Sequence, residues 1–268
     1  MTRFAFLAGL PRSGSTLLAA LLSQREDIYV TGLSDASAVI RHAHLVMPDE
    51  QNYRAGETGQ RNSLLRNALP AMYAHIDAPL VIDKSRTWGT PYYRRALTEA
   101  LDYPPRILAP VRPLTEIVAS FVRLCRAAPD NYIDRAMIAE DFHSYWRKPI
   151  DDARVDWLLL PNGHLGSAML GLHGAYQDES ADLFHVIEYA ALTSDPLPAM
   201  RGIEAFLDLE PFDYSFTQIV GQPHNDAEVY GIPNMHHVRE RIERIDPDPS
   251  TILSPYGMAR CELEDFWT

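Results

Sequence analysis

The start of this chain constrains its fold more than any other part. Residues 4–10 form an unbroken apolar run of strand length, followed by the polar turn Pro11-Arg12-Ser13-Gly14-Ser15-Thr16. Leu17, Leu18, Leu21 and Leu22 come next, at the spacing of a helix that lays one face on a sheet. A strand that is apolar at every position has no solvent face, so it belongs inside a sheet covered on both sides. The apolar residues around the turn also imitate a secretory leader, but the polar stretch 11–16 interrupts them as no leader's apolar segment tolerates.

Strand and helix signals then alternate. Residues 28–30 predict a short second strand, 80–82 a third that ends in Asp83-Lys84-Ser85, and 106–111 a fourth. Pro113 stands where a helix can begin, and Ile117, Val118, Phe121, Val122, Leu124 and Cys125 mark its buried face. Residues 183–187 read as a late strand, leading through Tyr189 and Asp195-Pro196 into an amphipathic helix with Met200, Ile203, Phe206 and Leu207. Residues 128–180 read as helix and loop without a clear order. The alternation predicts an α/β fold of three layers with a central, mostly parallel sheet. Ligands of such sheets sit beyond the carboxyl ends of the strands, where the polar clusters 11–16, 83–85 and 112–120 fall. No repeat, low-complexity tract or linker divides residues 1–268, so they read as a single domain.

Charge narrows the function. The chain holds 24 Lys and Arg against 36 Asp and Glu, a formal charge of −12. A nucleic-acid or anionic-membrane binder needs an excess of cations to displace counterions, so neither partner is expected. Any anionic ligand must be held by a few placed Arg and Lys side chains. No apolar stretch reaches the roughly 18 to 20 residues of a membrane span. Cys125 and Cys261 are the only cysteines, too few for a disulfide scaffold or a zinc site, and a reducing cytoplasm is the expected compartment.

The first loop carries chemistry. From Gly9 to Gly14 the spacing is that of a phosphate-binding loop, in which backbone N–H groups and a helix N-terminus converge on an anion. An ATP or GTP loop places Lys directly after the second glycine; here Ser15 occupies that position and the positive charge stands upstream at Arg12. A turn that merely caps a helix would explain Ser13 and Ser15, but not Arg12 or the spacing. Residues 11–16 behind an apolar strand resemble the 5′-phosphosulfate loop of the sulfotransferases, which use 3′-phosphoadenosine 5′-phosphosulfate (PAPS). The resemblance implies a variant of the P-loop nucleoside triphosphatase fold, with Arg12, Ser13, Gly14, Ser15 and Thr16 binding the donor and Arg12 also neutralising the bridging oxygen.

PAPS carries a 3′-phosphate that needs a second anion site. Arg112 at a strand end and Ser120 inside the next helix are similar to the family's 3′-phosphate motif, and a planar guanidinium plus a hydroxyl suit that group. Glu188-Tyr189 through Asp195-Pro196 resembles a later family segment, so Tyr189 either contacts the nucleotide or is a half-buried strand-end residue. The implied reaction is in-line transfer of the sulfuryl group to an alcohol or amine, leaving adenosine 3′,5′-bisphosphate (PAP), with no metal. A general base is then required. Residues 81–85 resemble the strand-end segment of heparan sulfate N-sulfotransferases, which implies Asp83 as base and Lys84 as an aid to the leaving group; the same residues also make a good turn and cap.

His42, His44, His75 and His143 are competing bases, and Trp88, Tyr92 and Tyr93 either line an acceptor pocket or belong to the core. The pair His236-His237 lacks the further ligands of a metal site. The acidic balance favours a small neutral or weakly charged acceptor. Two other functions share the loop: a P-loop small-molecule kinase, opposed by Ser15 at the lysine position, and a noncatalytic nucleotide-binding module.

Overall fold

The computed structural model of the chain describes residues 2–32, 34–45, 59–140, 147–177, 180–222, 224–244 and 248–267. Five strands, β1 (Arg3–Leu7), β2 (Ile28–Val30), β3 (Leu80–Lys84), β4 (Ile107–Val111) and β5 (Phe184–Glu188), form one parallel sheet in the order β2-β3-β1-β4-β5. Parallel neighbours need crossovers, and helices supply them. α1 (Ser15–Leu22) follows β1; α2 (Ala36–Leu45) and α3 (Gly59–Met72) lie between β2 and β3; α4 (Pro91–Ala100) precedes β4. Between β4 and β5 come α5 (Leu114–Ala127), α6 (Tyr132–Ala139), α7 (Ile150–Leu158) and α8 (Gly166–Gln177). The remaining helices are α9 (Tyr189–Ser194), α10 (Pro196–Leu207), α11 (Asp226–Tyr230) and α12 (Pro255–Glu264).

The apolar run at residues 4–10 explains the layering. Alternate side chains of a strand point to opposite faces, so Phe4 and Phe6 enter one core and Ala5 and Leu7 the other. The first core packs α2 to α5, α7 and α8 against the sheet, with Ile40, Leu65, Leu97, Phe121, Leu158 and Leu172 among its members. The second packs α1 and α10 through Leu18, Leu21, Leu22, Met200 and Ile203. The regular strand stops at Leu7 rather than running to residue 10, because the chain departs from strand geometry at Gly9 (φ 95°). It stays against β4 nevertheless: Ala8 N donates to Leu108 O and Leu10 N to Pro110 O. A Cβ at Gly9 would lie 2.5 Å from Pro110 O, so only glycine fits this approach.

The segments that leave β3, β1, β4 and β5, all neighbours in the sheet, contain Lys84, the 11–16 loop, Arg112 and Tyr189 respectively. The three expected polar clusters therefore share one edge of the molecule. Cys125 and Cys261 are buried free thiols, and burial pushes each up to about 12. Among the described residues no helix is long and apolar enough to cross a membrane.

Candidate active site

The loop after β1 is built to hold its shape. Ser13 is fully buried and its hydroxyl lies within hydrogen-bond distance of the carbonyls of Leu10 and Pro110, so its side chain braces the turn. Gly14 sits at φ 92°, and a Cβ there would come within 2.9 Å of the Tyr189 ring. Arg12 also takes a left-handed conformation (φ 62°), a sparsely populated state for a side chain of this kind and one that clusters at functional sites. The first amides of a helix have no partner within it, and residues 14–17 line the cavity at the start of α1.

The turn after β4 meets the turn after β1. Arg12 Nε donates to Ser120 Oγ at 3.3 Å, and its Nη1 donates to the Met235 carbonyl. Arg112 Nη1 reaches the Arg12 carbonyl at 3.3 Å while its Nε pairs with Glu116 at 2.7 Å. The Arg112 guanidinium also lies 4.2 Å from the centroid of the Tyr189 ring, a cation–π contact that fixes its plane. The end of the chain clamps this turn: Asp265 accepts from the Leu114 amide at 2.8 Å, and the Trp267 indole donates to the Arg112 carbonyl at 3.0 Å.

Lys84 and Asp83 part company. Lys84 Nζ donates to Thr16 Oγ1 at 3.2 Å and lines the cavity. Burial, with Arg86 nearby, lowers its pKa to about 8. Asp83 points to the opposite face of β3, is fully buried, and accepts hydrogen bonds from Trp88 Nε1 (2.7 Å), Ser34 Oγ and Tyr73 OH. Its carboxylate lies outside the cavity lining. Strand alternation is the reason: the parity that turns Lys84 toward α1 turns Asp83 into the other core.

The other expected acceptor-wall residues do not line the cavity either. Trp88 is a fully buried core ring against Phe6 and Tyr93. His44 bonds to Tyr92 OH at 2.8 Å, His42 turns back to the Ala38 carbonyl, and His75 is exposed. His143 lies outside the described residues.

The cavity, of about 350 Å³, is lined instead by side chains that no motif marked. Arg86, Arg123, Arg239 and Arg241 join Arg12, Lys84 and Arg112 around it, a cationic pocket in an acidic chain. Among the described residues no carboxylate pairs with Arg12, Lys84, Arg86 or Arg123. The pocket suits an anion carrying several charges.

Four histidines reach it, His164, His224, His236 and His237. His236 Nδ1 lies 2.6 Å from Asp226 Oδ1, and the His236 amide donates to Asp226 Oδ2 at 2.7 Å. Burial pushes Asp226 up, but these two hydrogen bonds outweigh it and hold the carboxyl below its ordinary value. Burial lowers His236, Asp226 opposing, and burial beside Lys84 lowers His224. The fold thus supplies His236 with the partners that sequence spacing denied it. His224, Asp226 and His236 have ligand atoms within 4.8 Å of one another, close enough for a metal ion. Both Asp226 oxygens are already engaged by His236, an arrangement that orients an imidazole and leaves Nε2 available for a proton.

The profile described as the sulfotransferase family matches residues 5–214. Among solved structures, the sulfotransferase domain of the Synechococcus PCC 7002 olefin synthase superposes with a TM-score of 0.54 at 18% identity, covering 98% of this chain and 94% of that one. The sulfotransferase domain of the curacin biosynthetic pathway gives 0.59 at 16%, covering 98% and 97%. A mouse sulfotransferase complexed with PAP gives 0.54 at 14%, covering 97% and 82%. Among curated proteins none matches the sequence significantly. With that family match running from β1 past β5, over the turns after β1 and β4, the chain belongs to the sulfotransferase family, enzymes that move a sulfuryl group from PAPS to an acceptor.

Proposed function

We propose that the cavity binds PAPS between two anion turns and that His236 takes the acceptor's proton. The 5′-phosphosulfate lies on Arg12, Gly14, Ser15, Thr16 and Lys84; the 3′-phosphate lies on Arg112 and Ser120, with Tyr189 under the guanidinium. Residues 1–268 act as one unit on a small-molecule acceptor, in the cytoplasm. The observation that carries this reading is the Arg12–Ser120 hydrogen bond, which joins the turns after β1 and β4 across one cavity.

PAPS supplies the sulfur that the acceptor oxygen or nitrogen attacks, and the bond from sulfur to the 5′-phosphate oxygen breaks to release PAP. Such in-line transfer needs positioning and charge stabilisation more than covalent participation. Arg12 exchanges Ser120 and the Met235 carbonyl for the bridging oxygen, and Lys84 offsets charge on the departing phosphate. His236 accepts the proton at Nε2 while Asp226 holds Nδ1, which keeps the tautomer and stabilises the imidazolium.

The chemistry draws its positive charge from side chains and backbone N–H groups. Transfer of label from sulfur-labelled PAPS should therefore persist in EDTA. Product that forms only with magnesium and ATP would favour a kinase, which needs that ion to bridge its phosphates; PAP binding without transfer to any acceptor would favour a noncatalytic module.

A further inference from the structure

Arg86 has no duty in the donor site described above. It opens the short 3-10 turn Arg86–Gly89 just beyond Lys84, and it is exposed to the cavity it lines. Its Nη1 donates to the His164 carbonyl at 3.3 Å, and among the described residues no carboxylate neutralises it. The protein around it lowers its pKa, Tyr132 and Tyr230 pulling the other way. An unneutralised guanidinium held at a cavity wall is a seat for an anion.

A run of rings leads from it to the base. His164 contacts Tyr132 at 5.4 Å between centroids, Tyr132 contacts Tyr230 at 5.5 Å, and Tyr230 contacts His236 at 5.4 Å. The Tyr132 hydroxyl is buried without a hydrogen-bond partner, an uncommon and costly state in a folded protein. Burial, with Arg86 and His236 adding to it, lowers His164 to about 3, so this part of the wall is neutral. Arg86 and His164 also line an adjoining cavity of about 260 Å³ with Trp157, Ser167 and Glu140, whose carboxylate accepts from Trp157 Nε1 at 2.9 Å, and this gives a bound molecule room beyond the donor.

We propose that the acceptor is a hydroxylated carboxylic acid whose carboxylate pairs with Arg86, whose body lies along His164 and Tyr230, and whose hydroxyl reaches His236. This rests on the donor and base assignments of the proposed function. One guanidinium offers one planar fork, which matches a singly charged carboxylate; the neighbouring Lys84 is committed to Thr16 and the donor. The carboxylate is unchanged in the reaction, its role being to anchor the hydroxyl in line. The acceptor is then anionic, unlike the neutral alcohol that the acidic composition suggests.

Benzoate and benzamide are the probes, equal in shape and different in charge. Titrated by calorimetry into the full-length enzyme saturated with PAP, benzoate should bind at least about tenfold more tightly than benzamide, as expected for a charge-assisted contact. Arg86→Gln should erase the preference and Arg86→Lys should keep part of it, both with an unchanged melting temperature and with PAP still binding tightly enough to saturate the protein. Labelled transfer from PAPS into a metabolite extract should give a product with two negative charges. No preference for benzoate, a preference that survives Arg86→Gln, or a product carrying the sulfate charge alone would overturn the proposal. Loss of PAP binding in the unsubstituted protein would instead refute the donor site, independently of Arg86.

Discussion

At the scale of single residues, the proposed base is His236 rather than Asp83, which Trp88, Ser34 and Tyr73 hold in the core. Asp83→Asn should lower stability by about 1 to 3 kcal/mol, because the new amide nitrogen meets donors that the carboxylate oxygens had satisfied. Turnover at a temperature where the variant remains folded should be unchanged, and melting curves run beside a transfer assay check both halves. His236→Gln should lose about 10²- to 10⁴-fold in turnover with PAP affinity retained; full activity in that variant would return the search for the base to His224. Strand parity made part of this legible: once Thr16 claims Lys84, its neighbour must face the other core. The Asp226–His236 pair was not legible, because its members come from separate segments with no shared motif and meet only through tertiary packing.

The elements repeat that lesson. β3 and β4 stand close to where apolar runs between turn residues put them, because a strand buried on both faces needs an unbroken apolar stretch; the edge strands β2 and β5, with exposed or half-buried positions, were marked by shorter apolar runs. Residues 128–180 resisted ordering because α7 packs against α5, α6 and α12, α8 packs against β5 and the 3-10 turns at residues 86–89 and 181–183, and neither carries a single apolar stripe, as with buried Asp152 and Arg154 among the apolar residues of α7. The clamp of Trp267 on the turn after β4 was equally invisible, since its hydrogen bond to the Arg112 carbonyl joins residues far apart in sequence. Trp267→Phe keeps a ring and removes that donor. It should weaken PAP by about three- to tenfold, the worth of one hydrogen bond, and leave AMP unaffected; equal losses for both nucleotides in a binding titration would make the clamp a general support.

For the whole molecule, an excess of acidic residues coexists with a cavity of clustered cations, and both set the pH response. As a base His236 must be neutral, and burial lowers its pKa, so kcat/KM should rise through a value below the ordinary histidine 6.5. It should fall again around 8, where Lys84 loses its proton. A bound anionic donor holds that proton, so the alkaline limb of kcat should lie higher, and Lys84→Arg should remove it from both profiles. The proposed function depends on a donor site made of two separate anion turns, and one calorimetric titration reads it. PAP should bind much more tightly than AMP, because only PAP fills the site of Arg112 and Ser120. Arg112→Ala should weaken PAP about 10- to 150-fold, the loss of roughly 1.5 to 3 kcal/mol, and AMP little. Equal affinities for PAP and AMP in the unsubstituted protein would contradict the assignment of the second turn and with it the binding of PAPS.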